Sequence, residues 1–453
     1  MPSRLCAALL GLLAVLPARA EALEKLTPER LAADPPLAGV LPTDLCWHPD
    51  GRRLTYLRKR DGGADLVALD TASGREAVLL AGSAVLVPGE TPATELPLSG
   101  YAWSPSGDRL LVSHGGDLYL VEARSAAVRR LTRTPEAEEF PELSPDGKRV
   151  AFVRGNDLHV TDLASGREAR LTGSGSETVL NGRLDWVYEE ELASRSGRAY
   201  AWAPGSHAIA YLQLDQARVP TFPIVDFLPA RNEVTLQRYP KAGRPNSVVR
   251  VGVVGFGEDL APGPERLLSF DPDDVYVVPD LAWSPDSRTV AFQWLNRAQN
   301  ELQLRFLPVP GAAGAPLGPP RTVLTEKGEA WVNVLAAPRF LKDGRRFLWL
   351  SERAGFAHIY LCDLGGACRA VTSGDWMVDA RQSFTQTSGS LALDERTGFV
   401  YFTATEKDPR ERHLYRARLD GTGRARLTRE DGTHRPLVSP DARVYADTFS
   451  DAR

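Results

Sequence analysis

The residue types with the greatest chemical potential in this 453-residue chain sit together in one short stretch, DWVYEEEL, residues 185–192. Glu189, Glu190 and Glu191 follow Trp186 and Tyr188 directly. Glutamate, leucine and alanine are good helix formers, so the run from Glu189 to Ala193 is expected to form a short helix. Neighbouring residues on a helix point about 100° apart. Two adjacent glutamates can therefore hold one small cation from two sides, and the positive end of the helix dipole tolerates their charge. A primary ammonium, with three N–H donors and no acceptor, fits such a pair. The same run also reads as a solvated acidic turn in which Trp186 and Tyr188 are core packing.

No other chemistry stands out. A hydrolase serine usually sits in G-x-S-x-G at a strand–turn–helix; GSGSET at 173–178 comes nearest and lacks the second glycine. The seven histidines are scattered, without H-E-x-x-H or paired-cysteine spacing. No glycine-rich phosphate loop follows a strand. The residues therefore imply no catalytic group, no metal site and no cofactor.

The elements that must position the glutamates are written in a repeat. LCWHPDGRRLTYL at 45, YAWSPSGDRLLVS at 101, PELSPDGKRVAFV at 141, YAWAPGSHAIAYL at 200, LAWSPDSRTVAFQ at 281 and PRFLKDGRRFLWL at 338 share one plan. LALDERTGFVYFT at 391 and RPLVSPDARVYAD at 435 are degenerate copies. In each an apolar strand ends, a Pro-Asp-Gly-type turn reverses the chain, and an alternating strand leaves. A second unit, such as DLVALDTASGREAVLL at 65 or DLHVTDLASGREARLT at 157, reads as a hairpin. Together the two units make about four strands, and four-stranded sheets repeated along a chain describe propeller blades. The expected fold is all-β, an eight-bladed β-propeller over residues 45–453. Residues 21–44 form a lead-in with a short helix capped by Thr27 and opened by Pro28. The proline-rich span 219–254 suggests a loop or hairpin inserted into one blade.

Composition is that of a globular protein, 43% hydrophobic and 25% charged, and the net charge of −4 leaves no footprint for nucleic acid or an anionic membrane. Residues 1–20 have the form of a signal peptide: Arg4, an apolar run from Leu5 to Leu16, and Ala18-Arg19-Ala20 as the cleavage site. That run is too short to span a bilayer, so an exported protein, periplasmic or secreted and without a membrane span, is expected. Export permits a cross-strand disulfide between Cys362 and Cys368, which flank Gly365-Gly366; two free thiols are the alternative. Cys46 reads as a small buried residue.

DWVYEEEL (185–192), YPKAGRPNSVVRVGVV (239–254), FLWLSERAGFAHIYLCDL (347–364), TSGDWMV (372–378) and FTATEKDPRERHLYR (402–416) give the chain a resemblance to the N-terminal propeller of the dipeptidyl peptidase IV family of serine peptidases. With the blade signatures, the resemblance covers nearly all of the chain after residue 20. It implies an eight-bladed propeller capping an α/β-hydrolase domain. It also implies that Glu190 and Glu191 bind the free N-terminal amine of a peptide, a ruler that leaves two residues before the scissile bond and selects proline or alanine at the second. The implied partners are a peptide with a free N-terminus and the hydrolase domain, and a homodimer is left open.

The departures from the family pattern are specific. The family's Ser-Asp-His triad lies in the hydrolase domain, and this sequence stops at VYADTFSDAR, about where that domain is expected to begin. The isolated chain is therefore expected not to hydrolyse peptides. A carbonyl-holding arginine of many members has no counterpart in LLVSHGGDLYLVE (110–122), and Leu335, Ala336 and Ala337 replace residues that are usually polar. Two other readings stand beside the first: an exported propeller serving as a protein-interaction scaffold, and a decayed paralogue with no ligand.

Overall fold

The structure, a computed structural model, describes residues 26–33, 41–192, 196–311, 315–379 and 391–451. The expected signal peptide at 1–20 lies outside them. The chain divides into two compact units, Met1–Pro42 and Thr43–Arg453. In the first, the single turn of helix Pro28–Leu31 begins where expected: Thr27 accepts the Arg30 N–H at 3.2 Å, and Pro28 needs no partner for the N–H it lacks. Among the described residues no helix is long and apolar enough to cross a membrane.

The second unit is a β-propeller of antiparallel sheets. The first sheet shows the plan: strands Thr43–Trp47, Arg53–Arg60, Gly63–Asp70 and Glu76–Leu80 pair in chain order. Every copy of the sequence signature spans the turn between two consecutive antiparallel strands. The reason lies in the backbone. The turn closes on a residue with positive φ, Gly51 at 69° and Gly147 at 69°, which glycine adopts without a Cβ clash. Where the copies lack that glycine, Ser206, Ser287 and Ala442 take the same conformation at 58°, 60° and 55°. The turn aspartate holds the reversal by accepting a backbone N–H two residues on, as Asp146 does from Lys148 at 3.0 Å.

One residue of the signature does more than end a strand. Trp103 donates its indole N–H to Thr55 Oγ1 at 3.0 Å, Trp202 to the Glu142 carbonyl at 3.2 Å, and Trp283 to the Ala201 carbonyl at 3.1 Å. Each bond joins the signature strand of one sheet to the sheet before it in the chain. Trp47 makes the same bond to the Leu437 carbonyl at 2.9 Å, 390 residues away, and so closes the ring. The core fills the spaces between neighbouring sheets: Leu66, Leu110 and Val121 between the first and second, and Leu212, Phe292 and Phe347 among the fourth to sixth.

The blade count differs from the expected eight. Among the described residues seven sheets have four or five strands, and the eighth signature forms only the pair Thr433–Val438 with Tyr445–Ser450. A four-stranded blade needs a turn unit and a hairpin, and among the described residues the last turn unit is paired with no hairpin. The span 219–254 carries the expected insertion, a hairpin of Thr221–Asp226 and Glu233–Arg238. Cys362 and Cys368 face each other across two strands and are joined by a disulfide, while Cys46 is free and half-buried.

Candidate functional site

The glutamate run leaves an edge of the fourth sheet. That edge is split in two: Val179–Asn181 and Tyr200–Trp202 both pair with the long strand Ala208–Asp215. On the partner strand only Leu212 separates the two pairings, and it serves both sides: its carbonyl accepts from Gly182 N at 3.0 Å and its N–H donates to Ala199 O at 2.9 Å. Residues 182–199 are thus an excursion pinched at its base. Ala199 N donates to Gly182 O at 2.9 Å, Leu184 N donates to Gly197 O at 3.0 Å, and Arg183 and Arg198 form a backbone bridge.

Inside the excursion the chain turns into a short π-helix, Tyr188–Leu192. Such turns arise inside α-helical stretches and occur frequently at functional sites. Its start is fixed by Asp185, a buried residue whose Oδ1 accepts the Tyr188 N–H at 3.0 Å and whose Oδ2 accepts the Ser247 hydroxyl. Burial raises the Asp185 pKa above the ordinary carboxylate range, and the Ser247 and backbone donors only partly offset that. Tyr188 is fully buried, and its hydroxyl accepts the Val277 N–H of the fifth sheet at 3.3 Å. Trp186 lies edge-on to Tyr239, 4.6 Å between ring centres, at the foot of the inserted hairpin. The two aromatic residues before the run are therefore packing, as the plainer reading of the sequence had them, and they hold the helix from two sides.

The carboxylates behave differently from these anchors. Glu189 is half-buried, and Glu190 and Glu191 are exposed on the helix. Glu191 has no ion-pair partner among the described residues. The stem below is charged but compensated: Arg183 pairs with Glu139 at 2.6 Å and Arg198 with Glu142 at 2.8 Å, both glutamates on the first strand of the third sheet. Burial raises the Glu142 pKa, with Arg198 opposing it, and Asp280 is raised in the same way. No group of three metal-ligating side chains stands together among the described residues.

Sequence reasoning found the glutamates but missed Asp185, Ser247, Arg183 and Arg198. Asp185 left a readable signal, an aspartate directly ahead of the first helical residue, where it accepts the N–H of the third. Ser247 and the two arginines left none, because their partners lie 44 to 62 residues distant. Ala336 is buried and Leu335 packs against the same cluster in the sixth and seventh sheets, so these two residues are used as core.

Comparison with known proteins bears on this arrangement. Residues 104–453 match the family model described as the dipeptidyl peptidase IV N-terminal region. The inactive dipeptidyl peptidase 10 of Rattus norvegicus is 33% identical over 270 residues, 56% of this chain and 31% of that protein. A probable dipeptidyl-aminopeptidase B of Coccidioides posadasii is 28% identical over 279 residues, 56% of this chain and 28% of that protein. The crystal structure of Porphyromonas gingivalis dipeptidyl peptidase 4 superposes with a TM-score of 0.74 at 26% identity, covering 90% of this chain and 56% of that one. The chain matches about a third of the length of these curated relatives. With its family model matched over 350 consecutive residues of a closed ring of blades, the chain belongs to the dipeptidyl peptidase IV N-terminal region family.

Proposed function

We propose that this propeller is the substrate-recognising lobe of a dipeptidyl peptidase IV-like serine exopeptidase, in which Glu190 and Glu191 bind the free N-terminal amine of a peptide. The observation that carries the reading is the placement of two exposed, adjacent carboxylates on a helix rooted at an edge of the fourth sheet and pinned by buried side chains. A rigid mount holds the carboxylates at a fixed position, which a ruler for dipeptide release requires. Two carboxylates around one ammonium favour the charged amine and reject an acylated terminus. In this reading an α/β-hydrolase domain supplies the nucleophile, the released dipeptides carry proline or alanine second, and the protein works outside the cytoplasm.

Calorimetry with a free and an N-acetylated Xaa-Pro peptide tests it. Hydrogen bonds to a charged group are worth about 1.5–3 kcal/mol, roughly 10- to 150-fold in Kd. The free peptide is expected to bind and the acetylated one to be weaker by that factor. Glu190→Gln with Glu191→Gln is expected to erase the difference. Equal binding of both peptides by the wild-type chain would end the proposal.

A second reading, an exported interaction scaffold, has its own observation. The inserted hairpin exposes Phe227 at 73% and Leu228 at 95%, large apolar side chains that a monomer rarely displays in one place. In that reading the hairpin meets another protein or a second copy of this chain, and the double glutamate variant leaves ligand binding unchanged.

A further inference from the structure

A cavity of about 280 Å³ lies between the fifth and sixth sheets. Trp331, on the connection between those sheets, lines it and is 57% exposed. Of the nine tryptophans it is the one whose indole meets no hydrogen-bond acceptor, aromatic ring or cation among the described residues. Every other tryptophan has such a partner: Trp349 donates its indole N–H to Glu326 at 3.0 Å, and Trp294 lies 4.5 Å beneath the Arg305 guanidinium. The backbone under Trp331 is nonetheless held. Val332 N donates to the Gln299 carbonyl at 2.9 Å, and a Cβ on Gly328 would stand 2.2 Å from the Trp331 carbonyl oxygen. An exposed aromatic face fixed beside a cavity is suited to receive a guest.

The charges on the wall decide the guest's chemistry. Lys327 pairs with Glu301 at 3.0 Å, and Arg353 pairs with Glu326 at 2.6 Å. Glu352 accepts the Asn333 side-chain N–H at 2.8 Å and meets no cation among the described residues. Glu352 and Asn333 are exposed and both line the cavity, and the carboxylate keeps lone pairs for a further donor. An anion would meet cations already neutralised and the uncompensated Glu352. A neutral guest would strip water from that carboxylate and return nothing. A cation answers the carboxylate and is also drawn to the face of Trp331. A guanidinium does both at once, since it stacks flat on an indole while its edge presents N–H donors to a carboxylate. The stacking half of that contact already occurs in this chain, with Arg305 over Trp294. Val332 and Leu335, both half-buried on the wall, offer apolar surface to an aliphatic stem.

We infer that this cavity between the fifth and sixth sheets binds an arginine side chain of a peptide, its guanidinium stacked on Trp331 and hydrogen-bonded to Glu352. The inference does not rest on the reading of Glu190 and Glu191, and a probe whose α-amine is acetylated keeps the two apart. N-acetyl-arginine methylamide is that probe. The controls are its neutral isostere N-acetyl-citrulline methylamide and the anionic N-acetyl-glutamate methylamide. Titrations are read by NMR at the Trp331 indole N–H and the Asn333 side-chain amide. The arginine probe is expected to saturate both signals and to bind about tenfold tighter than citrulline. That margin is expected to shrink as salt is raised, and glutamate is expected to shift neither signal. Glu352→Gln keeps an acceptor for Asn333 and removes the charge; Trp331→Leu removes the ring. Both positions are exposed, so each variant is expected to keep the wild-type Tm while its arginine affinity falls to the citrulline level. Absence of a saturable shift with the arginine probe overturns the inference, as does equal affinity for citrulline or wild-type affinity in either variant. Should one variant fail to fold, the other decides alone.

Discussion

Replacing Asp185 with alanine separates the mount of the glutamates from the glutamates themselves. Asp185 caps the helix through the Tyr188 N–H at 3.0 Å and also takes the buried Ser247 hydroxyl. Loss of a helix cap costs about 0.5–2 kcal/mol. A buried donor left without its acceptor costs about 1–3 kcal/mol. Because the two contributions share one side chain, Asp185→Ala is expected to cost about 2–4 kcal/mol in all. Hydrogen exchange at Tyr188–Leu192 reads this locally, and denaturant unfolding reads it globally. Asp185→Asn keeps both hydrogen bonds, since its carbonyl oxygen can accept the Tyr188 N–H and the Ser247 hydroxyl can turn to accept the amide. It is expected to stay within about 1 kcal/mol of wild type, the scale of one neutral hydrogen bond.

The pH dependence of that pair carries a sign. Burial raises the Asp185 pKa in the folded chain. Its neutral form is therefore favoured by folding: the contribution is fully present below the unfolded pKa and is lost as pH rises through the folded one. Relative to Asp185→Asn, wild type should gain stability as pH falls through the carboxylate range. The reasoning is refuted if Asp185→Ala is as stable as wild type, or if Asp185→Asn exchanges at Tyr188–Leu192 as fast as Asp185→Ala.

Other outcomes follow from the ring and its staples. Trp47→Phe removes the indole bond to the Leu437 carbonyl and should cost about 1 kcal/mol, with faster hydrogen exchange confined to the first sheet and the last strand pair. Joint replacement of Cys362 and Cys368 by alanine removes a crosslink closing a short loop and should lower the unfolding free energy by about 2 kcal/mol in denaturant titrations, matched by dithiothreitol on the wild type. Burial lowers the pKa values of His358 and His413. The unfolded chain then binds more protons below its ordinary histidine pKa, so stability falls as pH drops through that value towards the folded ones. The denaturant midpoint should decrease between pH 7.5 and 5.5, and His413→Gln should flatten the decrease.

What the sequence settled by itself is local. The positive-φ turn, the aspartate that braces it, the alternating strands and the Thr27–Pro28 helix start are decided within a few residues, so each copy of the signature announces its own place in a sheet. The helix-forming glutamates and the strand-breaking stretch around them are legible for the same reason. Tertiary structure alone decided the rest. The indole of Trp47 reads as an apolar strand end until Leu437 arrives 390 residues later to accept its N–H. Asp185 reads as one acid among many until Ser247 buries against it, and Gln293 as an ordinary strand residue until packing buries its amide completely with no hydrogen-bond partner. The number of full blades also lay beyond the turns, because a turn signature marks one pair of strands while completion of the sheet depends on further strands that carry no such mark. Backbone conformation answers to neighbours in sequence; hydrogen-bond satisfaction and burial answer to neighbours in space.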